Sequence, residues 1–250
     1  MSGTNTSRPG RARPWTSRAG FSLIELLIVL AIIVVLLGLL LPVLSAARQA
    51  ARSTQCLQTL RQWSAAYEMY LNNNRGKSFA IGSYPSRMEL GSPPMWWDLL
   101  QPYHPEIKQS LLCPEATDPA NVAPSNAFQA WGPFTFWDAP GQVRGTYIGS
   151  YGVNGWLYQA PPGSQLGTAP IVSPATSPAA PLIPVFFDCI RIDVLPASAD
   201  TAVFGGGGMG AVSFKRHRAG INLVFADGHA ENLAVPELWK LHWSDDFQSR

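Results

Sequence analysis

Residues 20–47 read GFSLIELLIVLAIIVVLLGLLLPVLSAA, and the organisation of the whole chain follows from them. From Leu26 to Ala47 there are 22 residues without a charge. As an α-helix these residues would rise about 33 Å, which matches a hydrocarbon core about 30 Å thick. A helix in the core of a soluble domain rarely has apolar residues on every face for such a length. The sequence therefore predicts one transmembrane helix over residues 21–47.

The charges on either side of this helix predict its direction across the membrane. The 250 residues include 18 basic and 16 acidic side chains, a net charge of +2. Residues 1–20 contain four arginines and no acid, so the other 230 residues carry a net charge of −2. Because positive segments tend to stay in the cytoplasm, we expect the N-terminus there and the remainder outside. No broad basic surface is predicted, and nucleic-acid binding is not expected.

The residues at the start of the apolar stretch are more specific than its hydropathy. Gly20 precedes the stretch, and Glu25 lies inside its leading edge. A carboxylate in lipid is costly, so this one requires a partner or a role. A secretory signal would instead be cut after the apolar region, at the small residues 45–47, and would release a soluble protein. That region is longer than the 7–15 residues typical of signal peptides.

The sequence Gly20-Phe21-Ser22-Leu23-Ile24-Glu25-Leu26-Leu27 resembles the type IV prepilins and the type II secretion pseudopilins. The resemblance implies a leader over residues 1–20 and cleavage between Gly20 and Phe21. The partner would be the prepilin peptidase, which also methylates the new amino group of Phe21. It further implies that Glu25 acts in assembly, with its charge compensated by the Phe21 amine of a neighbouring subunit.

An apolar stripe predicts that the helix continues beyond the membrane. Its members recur every three or four residues: Leu57, Leu60, Trp63 or Ser64, Tyr67, and Tyr70 or Leu71. The cluster Asn72-Asn73-Asn74-Arg75-Gly76 would end it. We expect a stalk helix over residues 48–74 that packs on a globular head, residues 75–250. The predicted class is α+β, a long N-terminal helix packed on an antiparallel β-sheet head, as in pilins.

Within the head, short apolar runs predict the elements. Short helices are expected at residues 96–100 and 236–240, a buried strand at 184–188, and a proline-rich extended loop at 160–182. Residues 211–233 predict a meander of strands 211–215, 221–226 and 229–233. Asp227-Gly228 fits a two-residue hairpin turn between the last two strands.

His217, nine further residues and then Asp227-Gly228 resemble the H-X9-DG element that ends many prepilin-like proteins with large outer domains. We expect these residues to be structural. His217, Asp227 and His229 could instead hold a metal on neighbouring strands. Because turn geometry already accounts for Asp227-Gly228, no metal and no cofactor are predicted.

The chain has three cysteines. Cys113 and Cys189 both lie in the head, where an oxidising periplasm would allow a disulfide. Buried reduced thiols are the alternative, because free cysteine behaves as a small apolar residue. An odd number of cysteines is not a disulfide scaffold.

The expected function is that of a pilin-like structural subunit, not an enzyme. It would lie in the bacterial inner membrane as a single-pass protein with a periplasmic or extracellular head. Its partners would be prepilin peptidase, other pilin-like subunits and membrane lipid, within a type IV pilus or a secretion pseudopilus. The alternative is a membrane-anchored glycan- or protein-binding module, whose ligand-stacking surface would use tryptophans 96, 97, 131, 137 and 156.

Overall fold

The computed structural model describes residues 22–79, 94–116, 118–121, 124–139, 141–159, 174–205, 208–212, 214–217 and 220–249. The chain divides into two compact units, Met1–Ala46 and Ala47–Arg250. The predicted leader and the bond between Gly20 and Phe21 lie outside the described residues.

Helix α1 spans Leu23–Asn73, 51 residues. Within the first unit its large apolar side chains, from Leu23 to Leu44, are 45–85% exposed. This part of the helix is long and apolar enough to cross a membrane, and none of it is buried as a core helix would be. The helix ends in the predicted cluster, where the amide of Gly76 donates to the carbonyl of Leu71 at 2.8 Å.

In the second unit the predicted apolar stripe of α1 is buried. Trp63 is fully buried, and its ring contacts those of Tyr151 and Phe186 at centroid distances of 5.1 and 5.8 Å. Leu57, at the start of the stripe, is only half-buried. The helix therefore supplies one wall of the core of this unit. The buried residues of α1 are Cys56, Leu60, Trp63, Ser64, Ala66, Tyr67, Tyr70 and Leu71.

One sheet has five strands: β4 (Tyr151–Asn154), β5 (Pro184–Asp188), β6 (Asp193–Val194), β7 (Gly220–Phe225) and β8 (Ala230–Ala234). Their order across the sheet is β6-β4-β5-β7-β8. All pairings are antiparallel except that of β4 with β6. Every residue of β5 and β7 is buried, because both faces of the sheet are covered. Phe186 packs on Trp63 of α1, whereas Phe187 packs on Trp243 of the C-terminal segment.

A three-stranded sheet joins β1 (Asp118–Asn121), β2 (Gln129–Ala139) and β3 (Gln142–Gly149). Strands β2 and β3 are antiparallel, and β1 runs parallel to β2. The short helix α2 spans Trp96–Leu100, and a 3-10 helix spans Val235–Lys240. The α+β class, both short helices and the strands at 184–188, 221–226 and 229–233 are thus confirmed, while the sheets are mixed rather than purely antiparallel.

The predicted strand at 211–215 is wrong. A 3-10 helix spans Gly208–Ala211, and the described residues 212 and 214–216 are not in a strand. The carboxylate of Asp200 accepts the Met209 amide at 2.8 Å, and Gly208 has a φ of +56°, so the backbone turns here. Val212 and Phe214 nevertheless lie in the core, which shows that their apolar pattern reflects burial without strand pairing.

The hairpin between β7 and β8 also differs from its prediction. The Gly228 amide donates to the Phe225 carbonyl, and the Phe225 amide donates to the His229 carbonyl, both at 2.9 Å. Its loop therefore has three residues, 226–228, and not two. Gly228 has a φ of +89°, the left-handed position that follows a type I turn in such loops.

The proline-rich stretch is only partly described. Residues 160–173 lie outside the described part of the chain. Residues 174–182 are not an extended loop, because 3-10 helices span Pro174–Thr176 and Ala180–Leu182.

Asp193, on the edge strand β6, gives the head a predicted pH dependence. Its Oδ2 is inaccessible to solvent and has no hydrogen-bond partner among the described residues. Burial raises the pKa of Asp193 to about 7, although nearby Arg191 lowers it. The folded state thus keeps a proton that the unfolded state loses near pH 4.

We expect the stability contributed by this protonation to be complete below about pH 4 and to be lost as the pH rises through 7. Over this pH range the free energy of unfolding should fall by up to about 4 kcal/mol, and Asp193→Asn should abolish this pH dependence. Denaturant unfolding of the full-length chain in detergent, followed from pH 4.5 to 8, measures the difference between wild type and variant. Parallel pH profiles for the two proteins would contradict the prediction.

Candidate functional site

Ser22 and Glu25 cap the N-terminus of helix α1. The Ser22 hydroxyl oxygen accepts hydrogen bonds from the amides of Ile24 and Glu25, at 3.2 and 3.4 Å. The Glu25 carboxylate accepts the amide of Ser22 at 2.9 Å. These reciprocal bonds form a capping box, which satisfies backbone donors that a helix start leaves free.

This cap gives Glu25 a role within its own chain that was not among the sequence-based predictions. The signal was present, because Ser22-x-x-Glu25 directly before an apolar run is the sequence pattern of a capping box. The carboxylate also lies at the positive end of the helix dipole, where a negative charge is stabilised. Helix capping and the expected pairing with a neighbour's amine use different properties of Glu25, its oxygen atoms and its charge. They can be separated by substitution.

The structure places His217 far from solvent and apart from the hairpin. His217 is 1% exposed, and its Nε2 lies 3.1 Å from Oδ2 of Asp188 and 3.5 Å from Sγ of Cys113. Asp227 and His229 instead pair with each other on the partly exposed hairpin, Oδ1 to Nδ1 at 2.6 Å. The structure therefore does not bring His217, Asp227 and His229 together as ligands of one metal ion.

Asp188, at the end of β5, organises the surroundings of His217. Its Oδ2 accepts the amide of Asn222 at 2.7 Å, and its Oδ1 lies 3.4 Å from Nη1 of Arg216. The side chains of Asp188 and Arg216 are fully buried. Burial lowers the pKa of His217, but the hydrogen bond and charge of Asp188, together with Cys113, outweigh burial and raise it to about 10.

Arg216 and Asn222 extend this network to other elements. Arg216 donates to the carbonyls of Ala127 at 2.7 Å and Gln129 at 3.3 Å, and to that of Ser150. The Asn222 side chain donates to the Ser53 carbonyl of α1 at 3.1 Å. The network thus joins both sheets and α1 inside the second unit. Nothing in the spacing of these residues along the chain predicted it.

All three cysteines are buried free thiols. The disulfide considered possible between Cys113 and Cys189 is not formed, because the two residues belong to separate apolar clusters. Cys189 donates to the Ala211 carbonyl at 3.5 Å, whereas Cys113 lies beside Cys56 and His217. Cys113 and Cys189 thus match the alternative expectation of buried, reduced thiols.

The tryptophans expected on a ligand-stacking surface are mostly internal. Trp96, Trp97 and Trp131 are at most 1% exposed, and the rings of Trp97 and Trp131 stack at 5.8 Å. Trp156 is half-buried, and its indole donates to the Pro196 carbonyl at 2.9 Å. These contacts assign the first three tryptophans to the core of the head.

Comparison with known proteins adds one finding at the amino end of the chain. Residues 15–41 match the family model described as the prokaryotic N-terminal methylation motif. Searches of curated proteins and of solved structures gave no significant match. The matched residues include the capping box and most of the exposed apolar part of α1. This chain carries a prokaryotic N-terminal methylation motif, and the match supports a pilin-like or pseudopilin-like protein.

Proposed function

We propose that this chain is a structural subunit of a type IV pilus or of a type II secretion pseudopilus. The observation that carries the proposal is the methylation motif at residues 15–41, which overlaps the part of α1, from Leu23 to Leu44, whose large apolar side chains are all exposed. A continuous apolar surface of this size requires a hydrophobic partner. Lipid would cover it in the membrane, and the helices of other subunits would cover it in a filament.

Maturation would begin with prepilin peptidase, which cuts between Gly20 and Phe21 and methylates the Phe21 amine. The arginines of residues 1–20 favour a cytoplasmic leader. The second unit, Ala47–Arg250, would then lie in the periplasm or outside the cell. The location would be the bacterial inner membrane until the subunit enters a filament.

Assembly would bring the apolar helices of several subunits together. Packing of side chains drives helix association once the helices are in lipid. A buried carboxylate without a counter-charge opposes this association, so Glu25 would pair with the methylated amine of a neighbouring Phe21. That pair would fix the register between subunits.

The alternative, a membrane-anchored binding module, depended on a surface of tryptophans. Three of the five lie in the core instead. No observation on the described residues favours that alternative over an assembly subunit.

Cleavage at Gly20 tests the proposal against a secretory signal. We expect Gly20→Phe to leave the uncut precursor in the membrane, since a large side chain replaces the small residue before the scissile bond. Ala47→Phe is the matched control, because it blocks only the rival signal-peptidase site at residues 45–47. Immunoblots of membrane fractions distinguish the two forms. Normal cleavage of the Gly20 variant together with blocked cleavage of the Ala47 variant would reject the proposal.

A further inference from the structure

Cys56, Cys113 and His217 converge inside the second unit. Their two sulfur atoms and an imidazole nitrogen all lie within 4.8 Å of one another, and all three residues are buried. Cys56 comes from α1, Cys113 from the segment before β1, and His217 from the segment before β7. Three distant parts of the chain thus direct soft metal-ligating atoms at one point.

The distances fit a tetrahedral metal ion. With metal–sulfur bonds of about 2.3 Å and metal–nitrogen bonds of about 2.0 Å, neighbouring ligand atoms lie roughly 3.3–3.8 Å apart. Sγ of Cys113 lies 3.5 Å from Nε2 of His217. The same nitrogen lies 3.1 Å from Oδ2 of Asp188. A carboxylate therefore lies next to the cluster, although it is not one of the three ligand atoms that all lie within 4.8 Å of one another.

Two backbone amides donate hydrogen bonds to side chains of this region. The amide of Glu115 donates to Sγ of Cys113 at 3.4 Å, and the amide of Asn222 donates to Oδ2 of Asp188 at 2.7 Å. Such outer hydrogen bonds orient ligands and stabilise thiolates and carboxylates at metal sites.

The charges balance for a divalent cation. Two thiolates and the Asp188 carboxylate carry three negative charges, and the buried guanidinium of Arg216 compensates one of them. A divalent ion compensates the other two. Thiolate and imidazole ligands select zinc, whereas calcium and magnesium require oxygen ligands.

We propose that Cys56, Cys113 and His217 form a structural zinc site that fastens α1 to the sheets of the head, and that the adjacent Asp188 carboxylate completes the coordination when the ion is bound. Four protein ligands in a buried position leave no open position for a substrate, which distinguishes a structural zinc site from a catalytic one. The site goes beyond the proposed assembly function. It also replaces the expectation, made from the sequence, that His217 binds no metal.

The test uses the full-length chain in detergent with its thiols kept reduced. Metal is removed with a chelator and Zn²⁺ is added back. After gel filtration, bound zinc is measured by inductively coupled plasma mass spectrometry. We expect one zinc per chain for wild type and less than about a tenth of that for Cys113→Ser and His217→Gln. Cys189→Ser is the matched control and should keep one zinc, since this buried cysteine lies outside the cluster.

Cobalt provides a readout that needs no variant. Wild-type protein loaded with Co²⁺ should show the visible absorption bands of tetrahedral thiolate coordination. A folded, reduced wild-type chain that takes up neither metal would overturn the proposal, as would variants that bind as much zinc as wild type. A Cys56–Cys113 disulfide in protein purified without reductant, with both metals still failing to bind after reduction, would assign the pair to redox chemistry instead.

Discussion

Chains in which Glu25 is replaced by leucine should enter the membrane and be cleaved as wild type, yet lose most of their crosslinked multimers. Removing a carboxylate from the apolar segment favours insertion, and Gly20 and Phe21 remain for the peptidase. Assembly should suffer because a neighbouring Phe21 amine would be left without its counter-charge. Breaking such a pair in a low-dielectric setting costs about 3–5 kcal/mol. That cost corresponds to a loss of roughly a hundredfold or more in the association constant.

Two further variants separate charge from helix capping. Glu25→Gln keeps an oxygen that can accept the Ser22 amide but removes the charge, so it should fail in assembly as leucine does. Ser22→Ala removes the hydroxyl that caps α1 and keeps the charge, so its multimers should form. Crosslinking in intact cells measures all three variants. Wild-type multimers in the leucine variant, or their recovery in the glutamine variant, would show that the charge of Glu25 does not direct assembly.

The second large effect is expected at Asp188. Asp188→Ala should lower the free energy of unfolding of the head by about 3–5 kcal/mol, because it leaves the buried Arg216 without its counter-charge. The Asn222 amide would also lose its acceptor. Denaturant unfolding of the full-length chain, followed by tryptophan fluorescence with a chelator present throughout, measures the loss independently of any metal.

Asp227→Ala is the control for this experiment. Among the residues that the structure describes, Asp227 pairs with His229 in the partly exposed hairpin, and such pairs contribute about 0–1 kcal/mol. We therefore expect the free energy of unfolding to fall by less than about 1 kcal/mol, although Asp227 and His217 both belong to the H-X9-DG resemblance. Equal losses in the two variants would contradict the arrangement described for the buried network.

The helices and strands that the sequence predicted correctly share one property, a pattern that depends on neighbours along the chain. The apolar stripe of α1 and the short buried strand Pro184–Asp188 are of this kind. Residues 211–215 have a similar pattern, but Val212 and Phe214 reach the core from an irregular segment. An apolar sequence pattern cannot by itself distinguish a buried strand from a buried irregular segment.

The candidate sites were predictable only where their residues are close in sequence. The motif around Gly20 and Glu25 is local, and the capping box of Ser22 could have been predicted from the same residues. The contacts of His217 with Asp188 and Cys113 join residues 29 and 104 positions apart. Such contacts are set by the packing of α1 against the sheets. For the same reason the sequence suggested Cys189 as the partner of Cys113, whereas the fold brings Cys56 there.

The intact mass of the protein extracted from membranes of cells that contain prepilin peptidase distinguishes a processed pilin-like subunit from a secreted protein. We expect the mass of residues 21–250 plus one methyl group on the Phe21 amine. A chain that begins near Arg48 would show instead that the apolar segment is a secretory signal. An uncut chain of 250 residues would show that the motif at residues 15–41 does not direct processing. Either result would contradict a pilin-like subunit.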